Sequence, residues 1–216
     1  MSNTSNRVLV SLGIGLVFVL AAFIEKIGWH GVFWLSLLIG GAAIFEFVRC
    51  LWNAPRSVMF NKFNLFVFIC FLALLALDFM SILTVAKRPM TMLLLLIIIC
   101  SADICAWFFG HLIGGDKLWE KISANKTWAG QIFGVIGGTA AAILYGKFLL
   151  GGFMPQLLWI GISISLLSQY GDFTASFVKR KLQIKDFSNV LGDHGGVMDR
   201  FDGWIYALPL IWLILA

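Results

Sequence analysis

The chain has 216 residues, 60% of them hydrophobic and only 12% charged, with a formal net charge of +5 and a mean hydropathy of +0.93. A water-soluble domain carries roughly 25% charged residues, so most of this surface must face something other than water, and a soluble globular fold is excluded. The net charge by itself excludes little; its placement carries the information. Seven apolar windows predict transmembrane helices over residues 7–25, 31–52, 64–85, 91–109, 128–150, 156–178 and 202–216, each near the ~20 residues that ~30 Å of hydrocarbon requires. Arg7 followed by Val8–Ile24 has the outline of a secretory leader, but the run approaches a full span and no small-x-small cleavage site leads into a soluble domain; it is expected to be a retained first helix.

Gly and Pro punctuate the gaps at Asn53-Ala54-Pro55, Arg88-Pro89, Gly114-Gly115 and Gly151-Gly152 with Pro155. The apolar runs lack the period-two alternation of a membrane barrel. The predicted fold is therefore an all-α integral membrane protein: one transmembrane domain over 1–216, a polytopic bundle of about seven helices joined by short loops. Cys50, Cys70, Cys100 and Cys105 lie in or at the ends of apolar runs, with no CxxC pair, and are expected to be buried, reduced thiols.

Positive charge sets the orientation. Arg7, Arg49, Arg56, Lys62, Lys117, Lys121, Lys126, Lys179, Arg180, Lys181, Lys185 and Arg200 fall on one side, twelve of the sixteen basic residues. Lys26, Lys87, Arg88 and Lys147 fall on the other. The positive-inside rule predicts that the N-terminus and both long polar loops, 110–127 and 179–201, are cytoplasmic, with the C-terminus opposite. A cytosolic nucleotide can reach that face.

The segment Ser176–Asp202 is the chemically richest. Lys179, Arg180, Lys181, Lys185 and Arg200 can neutralise phosphates, and Asp186, Asp199 and Asp202 are hard oxygen ligands suited to Mg²⁺. A basic juxtamembrane loop binding anionic headgroups would explain the lysines. It would not explain four acids threaded among them, which weaken an electrostatic anchor. Asp172, Ser176 and Lys179 stand at i, i+4 and i+7, one stripe if the sixth helix continues to Lys181. Asp199 and Asp202 stand at i and i+3 at the start of the last helix and can address one ion, while Gly195-Gly196 lets backbone approach a bulky anion.

The string Ser176-x-Val178-Lys179-Arg180-x4-Lys185-Asp186-x-Ser188-x2-Leu191-Gly192-x-His194-Gly195-Gly196-x2-Asp199-Arg200-x-Asp202 resembles the signature of the phosphatidate cytidylyltransferases, also called CDP-diacylglycerol synthases. Gly171-Asp172 is similar to the Gly-Asp that precedes it in that family. Ile122–Gly130 resembles a second family element, Ser-Pro-x-Lys-Thr-x-Glu-Gly, with Ala124 in place of the proline and Ala129 in place of the glutamate. Thr127 is also placed to cap the following helix. Asp103-Ile104-Cys105-Ala106-Trp107 resembles the family's Asp-x-x-Ala-aromatic element, and an ionisable group within a span is by default a functional-site hypothesis. Ala175 and Asp193 depart from the family's usual Glu and Gly. The resemblance is strong over 99–216, the implied catalytic core, with the signature at 176–202. It is thin over the N-terminal spans, 1–98. Glu46 and Asp78 are read as acids near helix ends that snorkel or pair with Arg49 or a polar backbone group.

The resemblance implies the reaction CTP + phosphatidate → CDP-diacylglycerol + pyrophosphate, a nucleotidyl transfer of phospholipid biosynthesis at a bacterial inner membrane. On that footing Asp172, Asp186, Asp199 and Asp202 would hold one or two Mg²⁺ ions. Lys179, Arg180, Lys185 and Arg200 would meet the triphosphate or the lipid headgroup, joined by Lys126, Thr127, Ser123, Ser176, His194, Gly195 and Gly196. The family also suggests a homodimer within membrane lipid. Three alternatives stay open: a CTP-dependent transferase or kinase acting on an isoprenoid lipid, a membrane transporter, and an inactive relative. Nucleic acid is not an expected partner, because the basic residues form no aromatic-interleaved soluble surface.

Overall fold

A computed structural model describes residues 20, 30–120, 122–192 and 195–215. The predicted span at 7–25 lies outside the described residues apart from Leu20, as do Asp193 and His194. Helices dominate: α1 (Gly31–Asn53), α2 (Arg56–Met59), α3 (Lys62–Val85), α4 (Pro89–Ile113), α5 (Trp128–Leu149), α6 (Pro155–Lys181), α7 (Met198–Phe201) and α8 (Trp204–Leu215), with two short strands, β1 (Lys117–Trp119) and β2 (Ser123–Thr127).

Local chemistry sets the boundaries. Ala54, held extended as the residue before Pro55, stops α1. The Asn61 side chain accepts hydrogen bonds from the backbone N–H of Phe63 at 3.0 Å and Asn64 at 3.3 Å, starting α3. Pro89 and Pro155 open α4 and α6, where a missing N–H costs nothing. Gly114 and Gly115, at φ 66° and 89°, turn the chain out of α4 into the β-hairpin.

Among the described residues, α1, α3, α4 and α5 are long and apolar enough to cross a bilayer. Their flanks expose large side chains such as Leu38, Phe66, Ile104 and Phe148, and Trp34 and Trp52 sit near opposite ends of α1, as in the aromatic belts of lipid-embedded helices. This is an all-α membrane protein. α6 is longer still but carries Gln169, Asp172 and a run of basic residues at its end. The last helix starts later than the sequence predicts. Met198–Phe201 forms a helix of its own, so Asp199 and Asp202 precede the twelve residues of α8 and are not in its first turn.

The chain divides into two compact units. One comprises the described part of Met1–Pro89 with Val178–Asp202. In it α1 packs along α3, and Phe47, Phe71 and Phe187 form a buried ring cluster, with Phe47 edge-on to Phe71 at 4.9 Å. The other unit comprises Met90–Phe177 and Gly203–Ile214. Here the small residues of α5 permit close helix approach: a Cβ on Gly134 would meet Gln169 and Ala102, and one on Gly161 of α6 would lie 2.8 Å from Thr139 Cα. Close backbone contact replaces the hydrophobic drive that lipid does not supply.

Gly161→Ala is therefore expected to lower the thermal unfolding temperature in detergent, through an overpacking cost of about 1–3 kcal/mol. Gly41→Ala, whose new methyl meets nothing within 4 Å, is expected to be neutral or stabilising, because alanine suits a helix interior better than glycine.

Candidate functional site

The signature loop closes on one carboxylate. Asp199 is buried, with only 2% of its side chain exposed, and its Oδ1 lies 2.7 Å from Lys179 Nζ, itself 11% exposed. Asp199 Oδ2 accepts the backbone N–H groups of Phe187 at 2.8 Å and Gly196 at 2.9 Å. Three donors from the end of α6, the middle of the loop and the Gly-Gly turn thus meet on two oxygens. Gly195 is at φ 78°, and a Cβ there would approach Asp199 Oδ2 to 2.9 Å and the Asp186 Cβ to 3.3 Å. Only glycine lets the turn fold over the carboxylate.

The second unit holds a separate set. Thr127 caps α5 as predicted, its Oγ1 accepting the Gly130 N–H at 3.1 Å. Lys126, at the end of the hairpin, reaches Asp172 of α6 at 2.5 Å, and Ser176 Oγ donates to Asp172 Oδ1 at 3.4 Å. Asp103, Lys126, Thr127 and Asp172 line one cavity of about 240 Å³, with Gln169 and His111. The structure thus gathers residues that the sequence offers on three separate segments. The β-hairpin that presents Lys126 carried no period-two signal, its strands being three and five residues long.

The remaining predicted site residues lie nearer the surface. Lys185, Asp186 and Arg200 are exposed, and Arg180 donates from Nη1 to the Ile184 carbonyl at 3.2 Å, closing the end of α6. Ser123 stands opposite Trp119 in the hairpin and does not line the cavity. Asp202 is half-buried. Glu46 does not snorkel: of the readings given for it, the pairing with polar backbone is the one observed. It is buried in α1 and accepts hydrogen bonds from Ser188 and from the backbone of Val197 and Met198. An acid inside an apolar span was the signal for it, but no spacing rule ties position 46 to position 198.

Among the described residues, no three His, Cys, Asp or Glu side chains gather around a point where a metal could sit. Mg²⁺ is commonly held by one or two carboxylates with substrate phosphates and water completing its shell. Asp186 and Asp199, adjacent at Gly195, supply that kind of hard oxygen donor. Exposed Asp186 is a carboxylate of the kind such an ion takes, while both oxygens of Asp199 already accept hydrogen bonds.

Residues 1–216 match the cytidylyltransferase family throughout. The chain belongs to that family. It is 38% identical over 125 residues to a phosphatidate cytidylyltransferase of Brucella suis biovar 1 (strain 1330), a stretch covering 57% of this chain and 46% of the relative. Against that of Bacillus subtilis (strain 168) it is 37% identical over 124 residues, 56% and 45% of the two chains. Against that of Rickettsia bellii (strain RML369-C) it is 34% identical over 139 residues, 60% of each. The chain thus spans about half the length of most of the curated relatives it matches.

The two ion pairs predict unequal costs. Asp199→Ala leaves Lys179 and two backbone N–H groups buried without an acceptor and is expected to destabilise by about 3–5 kcal/mol. Asp172→Ala breaks a pair whose members are 27% and 39% exposed and is expected to cost under about 1 kcal/mol. Thermal unfolding of both variants in the same detergent makes the comparison.

Proposed function

We propose that this chain is a phosphatidate cytidylyltransferase of a bacterial inner membrane, converting CTP and phosphatidate to CDP-diacylglycerol and pyrophosphate, with its polar loops on the cytoplasmic side. The observation that carries the proposal is the Asp199 cluster. Lys179, Gly196 and Asp199, three positions of the signature shared with the family, are also three partners in one buried hydrogen-bond set. The positive-inside bias supports the orientation.

The reaction asks little covalent chemistry of the protein. A phosphate oxygen of phosphatidate attacks the α-phosphorus of CTP in line; its new P–O bond forms as the bond to pyrophosphate breaks. The nucleophile is already anionic near neutral pH, so no strong general base is needed. The barrier lies in bringing two polyanions together and in the charge that grows on the leaving group, so positioning and electrostatics supply most of the rate.

Each residue has a role in that scheme. Lys179, Arg180, Lys185 and Arg200 bind the triphosphate or the headgroup, and Lys126 with Thr127 contributes from the hairpin. Gly195 and Gly196 offer backbone to phosphate oxygens, and His194 is assigned to the same phosphates or to the leaving pyrophosphate. Asp172, Asp186, Asp199 and Asp202 are the carboxylates for one or two Mg²⁺ ions, whose charge, when bound, would offset that of the departing pyrophosphate. Lys126 now neutralises Asp172 and is the group expected to turn to phosphate once substrate arrives, while Lys179 keeps its hold on buried Asp199 and offers its remaining N–H donors. The acyl chains stay in lipid while the headgroup enters the polar region.

Asp202→Asn decides the matter most cleanly, because Asp199 also holds the loop together. Inverted membranes carrying Asp202→Asn at wild-type protein levels are expected to lose about 100-fold or more of the Mg²⁺-dependent incorporation of [α-³²P]CTP into lipid. Full incorporation by this variant would remove the metal assignment.

A further inference from the structure

Beside the Asp199 cluster, in the same unit, lies a cavity of about 600 Å³ that shares Asp186 and Ser188 with the signature and to which the mechanism above gives no occupant. That is within the usual 300–1,000 Å³ range for small-molecule sites. Its walls come from two stretches far apart in sequence: the end of α1 with the turn after it, and the segment 182–190 of the signature loop. Arg49, Asn53 and Asn189 supply polar groups, Pro55 and Ile184 apolar surface, and Asp186 connects it to Gly195 and Asp199.

The two walls are bolted together within the unit. Glu46, one turn before Cys50 on α1, accepts from Ser188 Oγ at 2.6 Å and Val197 N–H at 3.0 Å through Oε1, and from Met198 N–H at 2.9 Å through Oε2. Cys50 donates its thiol hydrogen to the Phe187 carbonyl at 3.0 Å, and the Phe47 ring packs on Phe187 at 6.2 Å. Three consecutive contact points on one helix face therefore fix the loop at Phe187–Ser188 and at Val197–Met198. The same face continues into Arg49 and Asn53.

We infer that the end of α1 is one wall of the nucleotide site: the cavity receives the cytidine end of CTP, and Glu46 is the positioning residue that fixes the opposite wall. The chemistry of the lining fits. Cytosine presents an exocyclic amine that donates and ring N3 and O2 that accept, and the amides of Asn53 and Asn189 can do both. Arg49 offers a guanidinium to phosphate, and Asp186 carries the cavity on towards the carboxylates assigned to the cation. This rests on the cytidylyl-transfer assignment and names a substrate subsite for it.

Equilibrium binding of radiolabelled CTP to the purified full chain in detergent micelles, without phosphatidate, tests it independently of turnover. Arg49 and Asn53 are exposed, so Arg49→Gln and Asn53→Leu should fold, and each is expected to weaken CTP binding about tenfold. Asn53→Leu should also reduce the preference for CTP over competing UTP. Glu46→Gln turns an amide donor towards the Met198 N–H. It is expected to speed hydrogen exchange of the Val197 and Met198 amides at least about tenfold and to weaken CTP binding with it. Wild-type affinity in both Arg49→Gln and Asn53→Leu overturns the inference, as does faster exchange in Glu46→Gln with unaltered affinity. If the wild-type chain binds CTP in this way but labels no lipid, the transfer assignment falls and the subsite stands; if it binds no CTP, both fall.

Discussion

Everything distinctive in the signature segment depends on a carboxylate that has been taken out of water. A buried aspartate is tolerable only if its charge is met, and Asp199 is met by an ammonium and two backbone N–H groups. Such a pair adds little net stability compared with apolar packing, since desolvation consumes most of the attraction. Its value is specificity. Phe187 N–H, Gly196 N–H and Lys179 Nζ come from three separate points of the segment and meet on the same two oxygens. A chain of mostly apolar residues has few other ways to hold a long polar connection in one conformation.

The same economy recurs at Glu46 and at Asp172. Glu46 places a second buried carboxylate under the loop and again satisfies it with one side-chain and two backbone donors. Asp172 is more open, and its partners, Lys126 and Ser176, are side chains that can move.

Much of this was legible in the sequence where one residue's chemistry or a helical period decides the outcome. The long apolar runs marked α1, α3, α4 and α5 within a few residues of their ends. Thr127 was placed as a cap, and the i, i+4, i+7 spacing of Asp172, Ser176 and Lys179 matched an α6 that runs unbroken to Lys181. The short hairpin was not legible, because strands of three and five residues carry no usable alternation. Nor was the separate helix Met198–Phe201, whose position follows from contacts of Asp199 and Glu46 with residues distant in sequence. Glu46 itself was visible as an anomaly, an acid in an apolar span, but its partners at Ser188, Val197 and Met198 lie more than 140 positions away and no local rule finds them. Long-range satisfaction of buried polar groups is what a linear pattern leaves out.

The most direct test supplies the purified chain in mixed micelles with phosphatidate, Mg²⁺ and CTP labelled either in the cytosine ring or at the γ-phosphate. Cytidylyl transfer predicts that the ring label, and not the γ label, enters chloroform-extractable lipid, with pyrophosphate released in equal amount. Appearance of the γ label in lipid would make the chain a lipid kinase, and absence of both labels from lipid would contradict the account altogether.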